Sequence, residues 1–353
     1  MRSSPTCVLR AAILVLLSLS LACWTSIGWA QALSAEAKSA LQTGRTALER
    51  GQFPAAVSAL ERAYAIAPDR PEVVRSLLLA YLQAGEVAPA LRVGREATAR
   101  WANDGELHHW LGLAYFKSGQ RSEARAELER ATNLDQSNFG SHFDLALALL
   151  SLQDYGTASQ QLERALQLHP SDALSHLLLG RAYQNTNRSV EAIRQFREAL
   201  KFDPSVPLGH YHLGFAYESV GRSQEAIAEY AAQMNGTPDN AQVRFQLGHC
   251  LLEMGDWKSA IPHLERAAQL DGQDGDAFYD LGKASLLAGH PKQSVVALRR
   301  AVALKPNDPS PHYQLARALR QSGNEEEAES EQQRFVELKR LHPAAGGMAT
   351  GRQ

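Results

Sequence analysis

Twelve histidines and three cysteines carry most of the reactive side chains in this 353-residue sequence. His108, His142, His176, His210 and His312 stand at multiples of one fixed interval. A zinc site needs several nitrogens within about 2 Å of one point. Residues repeated at a helical-repeat interval sit on parallel elements ~8–10 Å apart, so these imidazoles are expected to pack rather than to ligate. Cys7 and Cys23 lie in the first thirty residues and leave Cys250 alone in the remainder, where no internal disulfide can form. Its neighbours one period away are mostly alanines, so the thiol reads as a small buried group. The glycines match neither GxGxxG nor GxxxxGK[ST], and no Ser, His and Asp set lies in the context of a nucleophile. Pairs such as Glu123 and Glu127 read as surface neighbours. Asn187-Arg188-Ser189 and Asn235-Gly236-Thr237 fit the glycosylation acceptor pattern. No catalytic residue, metal ligand or cofactor site is therefore assigned.

Charge narrows the partners. The chain has a formal net charge of −2, and 36 basic residues against 38 acidic ones leave no general excess for phosphates. A nucleic-acid partner is not expected. Arg2 and Arg10 precede an apolar run over 11–22, and the small-x-small triplet Gly28-Trp29-Ala30 follows. A positive start, a short apolar core and small residues before a cut are the marks of a secretory signal peptide, with cleavage expected after Ala30. Two other readings stay open: an uncleaved anchor, although the run is short of the ~20 residues of a spanning helix, and a lipoprotein modified at Cys23. All three place the body outside the cytoplasm, in a periplasm, cell envelope or secreted space, and any membrane contact would be through this segment alone.

The elements that must position any site come from a 34-residue period. Beyond a short lead-in (31–36), nine blocks follow without a gap: 37–70, 71–104, 105–138, 139–172, 173–206, 207–240, 241–274, 275–308 and 309–342. Position eight of the block is Gly at Gly44, Gly112, Gly180, Gly214, Gly248 and Gly282, and position fifteen is Gly in seven blocks, from Gly51 to Gly323. Position twenty is Ala in eight blocks, and Pro68, Pro170, Pro204, Pro238 and Pro306 close five of them. Apolar residues recur at helical spacing on both sides of the mid-block glycine, so each block predicts two helices and a tight turn. Small residues at positions eight and twenty allow close approach, while Asp, Ser or Asn after each closing segment can cap the next helix. Leu78 takes the glycine's place in the second block and is expected to loosen that pair. The last block ends in a highly charged helix, as the end of a stack requires, and the tail 343–353 has no apolar period.

This pattern resembles the tetratricopeptide repeat family. The third block alone carries Leu111-Gly112, Tyr115, Gly119, Ala124 and Ala131 at the family's offsets. The resemblance implies an all-α, right-handed superhelical solenoid. It also implies that first-helix positions two, five, six, nine, twelve and thirteen line a concave groove. Carried across, these positions place Trp110, Leu113, Phe116, Phe143, Leu147, Leu177, Arg181, Tyr211, Phe215, Phe245, Tyr279, Tyr313 and Arg317 in it. The alternative is that some of these side chains turn sideways and pack between first helices. The family's clamp for a C-terminal carboxylate, which uses groove Asn and Lys, is not supported, because positions six and nine supply no Asn. The expected role is a non-catalytic scaffold that holds an extended peptide or a helix of a protein partner. A chaperone-like assembly factor and an accessory subunit recruiting an envelope enzyme or polysaccharide secretion machine remain as alternatives.

Overall fold

The computed structural model describes residues 32–341; the leader, the cleavage triplet and the tail lie outside the described residues. Those residues form helices with no strand among them, and they fall into two compact units divided between Asp135 and Gln136. The first unit holds α1 (Ala35–Glu49), α2 (Phe53–Ile66), α3 (Pro71–Ala84), α4 (Val87–Arg100), α5 (Gly105–Lys117) and α6 (Arg121–Leu134). The second begins with α7 (Phe139–Ser151), α8 (Tyr155–Leu168), α9 (Ala173–Asn185), α10 (Ser189–Phe202), α11 (Gly209–Ser219) and α12 (Ser223–Gly236). It continues with α13 (Ala241–Glu253), α14 (Trp257–Leu270), α15 (Gly275–Leu287), α16 (Pro291–Leu304), α17 (Pro309–Gln321) and α18 (Glu325–Leu341). Each 34-residue block thus supplies one antiparallel helix pair, and each unit is a stack of pairs: an all-α helical-repeat solenoid.

Local chemistry sets the ends of the helices. Asp104, Asn138, Asp172, Asn240, Asp274 and Asp308 cap first helices, each side-chain oxygen accepting from a backbone N–H two or three residues on. The turn between paired helices needs a left-handed residue, and glycine supplies it at seven places, for example Gly85 at φ 78°. The fourth and fifth repeats manage the same turn with Gln153 (φ 62°) and Asn187 (φ 59°).

Packing within a pair depends on positions eight and twenty-four. A Cβ added to Gly180 would lie 2.5 Å from Cε1 of Phe196, and one on Gly214 2.8 Å from the Tyr230 ring. Gly112 and Gly248 are each 2.6 Å, on the same measure, from the Cγ of Leu128 and Leu264, and Gly44 and Gly282 are closer still to Leu60 and Leu298. All six facing side chains are fully buried. The second repeat reverses the sizes: position eight is Leu78, fully buried, and position twenty-four is Gly94, against which Leu111 of the third repeat packs. The expected loosening is borne out: α3 and α4 are the least closely packed of the nine helix pairs, and the side chain over Gly94 is Leu111 rather than Leu78.

The position-four histidines tie each pair to the loop before it. His108, His142 and His176 hold Nδ1 at 2.6–2.7 Å from Glu127, Gln161 and Gln195, and Nε2–H donates to the carbonyl of Ala102, Gln136 and Pro170 at 3.0–3.2 Å. His312 repeats the arrangement between Glu331 and the Pro306 carbonyl, and His210 keeps the contact with Glu229. Every such ring works inside its own repeat and the loop that leads into it, which is why equivalent histidines do not converge. Among the described residues no cluster of three metal-ligating side chains is present.

Filling the space above a position-eight glycine should unseat its pair. Gly180→Val places a branched side chain where the Phe196 ring already lies, and overpacking of this kind costs about 1–3 kcal/mol. We expect a lower thermal and urea midpoint for helix loss. Gly156→Val, at an exposed helical glycine with no neighbour within 4 Å, should change stability by under about 0.5 kcal/mol.

Candidate functional site

Within each unit the first helices form the tighter row. In the first unit α1 meets α3 and α3 meets α5; in the second α9 meets α11, α13 meets α15 and α15 meets α17, whereas no two second helices meet to that extent. Each unit therefore curves toward its first helices, and their outward positions form its groove.

In the first unit the groove is mostly polar. Nε–H of Arg45 donates to Ser76 Oγ at 3.0 Å, and Arg75 donates through two nitrogens to Asp104 at 2.5 and 3.0 Å. A cavity of about 310 Å³ opens between Arg45, Glu49, Glu72, Arg75 and Glu106. Sequence reading missed this stretch because it looked for an apolar stripe; the signal available was arginine at positions nine and five of the first two repeats. Trp110 is half-buried, its Nε1–H donating to Glu106 at 3.3 Å and its ring stacked on His109 at 4.7 Å. Leu113 and Phe116 are half-buried beside it.

The second unit contains the remaining candidates, and they divide by position. Position-five side chains lean into the stack. Leu177 is buried at 4% exposure and belongs to the core rather than the groove surface, because its repeat offers it a full set of apolar neighbours. Phe143, Tyr211, Phe245 and Tyr279 are half-buried. Position-nine side chains point further out. Leu147 is half-buried, Arg181 is exposed, and Phe215 is 39% exposed. In the last repeat Tyr313 is 40% exposed, with the Arg317 guanidinium 5.9 Å from its ring centre.

Polar contacts cross from one first helix to the next. His249 Nδ1 lies 2.7 Å from the buried carboxylate of Asp280, and Lys283 donates to Glu253 at 2.7 Å. Gln242 lies near the Tyr211 hydroxyl and Gln314 near that of Tyr279. Tyr230, fully buried as the partner of Gly214, sends its hydroxyl out to donate to Glu218 at 2.8 Å. The same carboxylate faces Cys250, whose thiol burial pushes up to about 12, with Glu218 adding to the rise. Such a thiol is no nucleophile at neutral pH. The hydrogen bond to Asp280 raises the His249 imidazole against the opposing effect of burial. His212, stacked on Phe196 at 5.6 Å, is lowered to about 4, by burial first and by Arg181 second.

Family models described as tetratricopeptide repeat or TPR repeat match residues 41–105, 112–153, 143–207, 177–238, 217–281, 251–309 and 309–340. Among solved structures, a chain of the APC/C hetero-tetramer Cut9–Hcn1 is 18% identical over 79% of this chain, with a TM-score of 0.50. This chain spans 55% of that chain's length, and the likeness is one of fold. YrrB, a TPR protein with an unusual peptide-binding site, is 19% identical over 52% of this chain and 95% of its own, with a TM-score of 0.49. MamA from Desulfovibrio magneticus RS-1 is 22% identical over 49% of this chain and 98% of its own, with a TM-score of 0.46. No curated protein matches the sequence.

The raised His249 has a consequence for pH. A raised folded-state midpoint means that the His249–Asp280 pair stabilises fully below the ordinary histidine value of about 6.5 and that this stability is lost as pH rises through the raised midpoint. Histidine NMR titration should place His249 above that value and His212 near 4. Asp280→Asn should bring His249 down while leaving His212 in place.

Proposed function

We propose, from the premise that this chain belongs to the tetratricopeptide repeat family, that it is a protein–protein interaction scaffold holding an extended segment or a helix of another protein along its first helices. The observation that carries this reading is the pair of aromatic side chains, Phe215 and Tyr313, left two-fifths exposed on the groove row of the second unit. Aromatic side chains bury about 150–250 Å² each. Covering the exposed part of either ring at ~25 cal/mol per Å² contributes about 2 kcal/mol, enough to make each an anchor. The ion pairs and hydrogen bonds that join neighbouring first helices hold the surface in place before a partner arrives, which lowers the ordering cost of binding.

We also propose that the protein acts outside the cytoplasm, in a periplasm, envelope or secreted space. The support is the arrangement of Arg2, Arg10, the apolar run and the Gly28-Trp29-Ala30 triplet, all outside the described residues. No described helix is long and apolar enough to cross a membrane.

Capture from an envelope extract of the source organism tests the site. Phe215→Asp with Tyr313→Asp should remove at least ~90% of any protein retained by the unaltered chain, since each loses an anchor worth more than a factor of ten. Val296→Asp, at a 72% exposed position on the second helix α16, should retain it fully. Equal helicity of the three forms by circular dichroism is the control. Retention unaffected by the groove pair would place the contact surface elsewhere.

A further inference from the structure

The charges along the second unit's first helices indicate which kind of segment fits there. We propose that this groove takes an acidic segment of a protein partner, whose side-chain carboxylates meet Arg181 and Arg317 while its apolar side chains cover Phe215 and Tyr313. This rests on the groove reading above and adds to it the charge of the occupant.

The first helices α7, α9, α11, α13, α15 and α17 carry five carboxylates, and the protein already uses each one. Asp280 is held by His249, Glu253 by Lys283 at 2.7 Å, and Asp276 by Lys305 at 2.5 Å. Glu218 accepts from Tyr230, and Asp144 is engaged as well. The cations are not matched in the same way. Arg320 reaches Glu325 at 3.6 Å, and Arg244 donates to the Pro238 carbonyl at 2.6 Å. Among the described residues, Arg181 has no side-chain partner, and Arg317 has only the neutral amide of Gln314 at 3.1 Å. Three of the five groove carboxylates are thus paired with basic side chains and the other two are engaged, while two guanidiniums retain open donors.

Geometry places these two cations in one register. Arg181, Phe215, His249, Lys283 and Arg317 occupy position nine of five successive repeats, so they form a single row. Four repeat steps of ~8–10 Å separate its ends, a distance that an extended chain spans in roughly ten to twelve residues at ~3.3 Å each. Arg317 is oriented by Gln314 and by the face of Tyr313, so a carboxylate meets a pre-set fork of donors beside an exposed ring. Beside Arg181, His212 stays neutral at physiological pH and leaves that end singly charged. A nucleic acid fits less well, because two open cations on a chain with no basic excess neutralise few phosphates.

The test uses the full chain and three fluorescein-labelled twelve-residue peptides that alternate Leu or Phe with Glu, with Gln or with Lys, read by fluorescence anisotropy. The Glu peptide should bind at least about tenfold more tightly than the Gln peptide, and the Lys peptide should bind least. Arg181→Ala with Arg317→Ala should remove that tenfold preference and its salt dependence, weakening the Glu peptide by more than the Gln peptide. Phe215→Asp should weaken both the Glu and Gln peptides. Equal binding of the Glu and Gln peptides overturns the acidic occupant and leaves the groove reading standing. Preference for the Lys peptide, absence of saturable binding by any peptide, or displacement of the Glu peptide by a twelve-nucleotide single strand at equal concentration also overturns it. Glu-peptide binding that survives both Phe215→Asp and the arginine pair would instead remove the groove as the site.

Discussion

In six of the nine repeats the close approach of paired helices rests on one size relation: a glycine at position eight under a large side chain at position twenty-four. Leu, Phe and Tyr all serve as the large partner, at Leu128, Phe196 and Tyr230, and each is fully buried. In the fourth and ninth repeats a fully buried alanine, Ala146 or Ala316, takes the glycine's place, so a small residue suffices there. The second repeat shows what the absence of this relation does: with Leu78 at position eight and Gly94 at position twenty-four, α3 and α4 pack less closely than any other pair. Leu78 is still fully buried, and the space over Gly94 is filled by Leu111 of the following repeat.

Surface and core are coupled through this same contact. Position nine follows the glycine directly, so the seating of position eight sets how far Arg181, Phe215 and Lys283 project from their stack. Tyr230 makes the coupling explicit, since its ring lies over Gly214 while its hydroxyl binds Glu218 on the groove side. The His249–Asp280 and Lys283–Glu253 pairs then join one first helix to the next. A surface fixed by core packing from below and by side-chain pairs from the sides is suited to binding without large rearrangement.

Much of the fold could be read from the residues alone. The 34-residue period, the turn glycines and the Asp and Asn caps are local features, and each states its own conformational requirement. The histidines at position four were read as packing groups, because equal spacing on parallel elements prevents convergence, and each holds a partner inside its own repeat. Their actual partners, a residue nineteen positions on and a carbonyl six positions back, were not legible, since they depend on how the second helix and the preceding loop face the ring. The candidate surface was legible to a similar degree. Periodicity selects the outward positions, but it assigned Leu177 and Phe215 to the same stripe although one is buried and the other 39% exposed.

By itself, the sequence determined the repeat, its helices, their caps and turns, and the residue types available to a groove, because these follow from nearest-neighbour and one-turn interactions. Only the tertiary structure decided which groove side chains stay open and which charges are already spent. Arg181 and Lys283 stand at the same position of their repeats, yet Glu253 lies next to Lys283 and no carboxylate among the described residues reaches Arg181. That difference comes from the packing of one repeat against the next, through which residues about thirty positions apart meet at hydrogen-bond distance, and no local pattern in either repeat contains it.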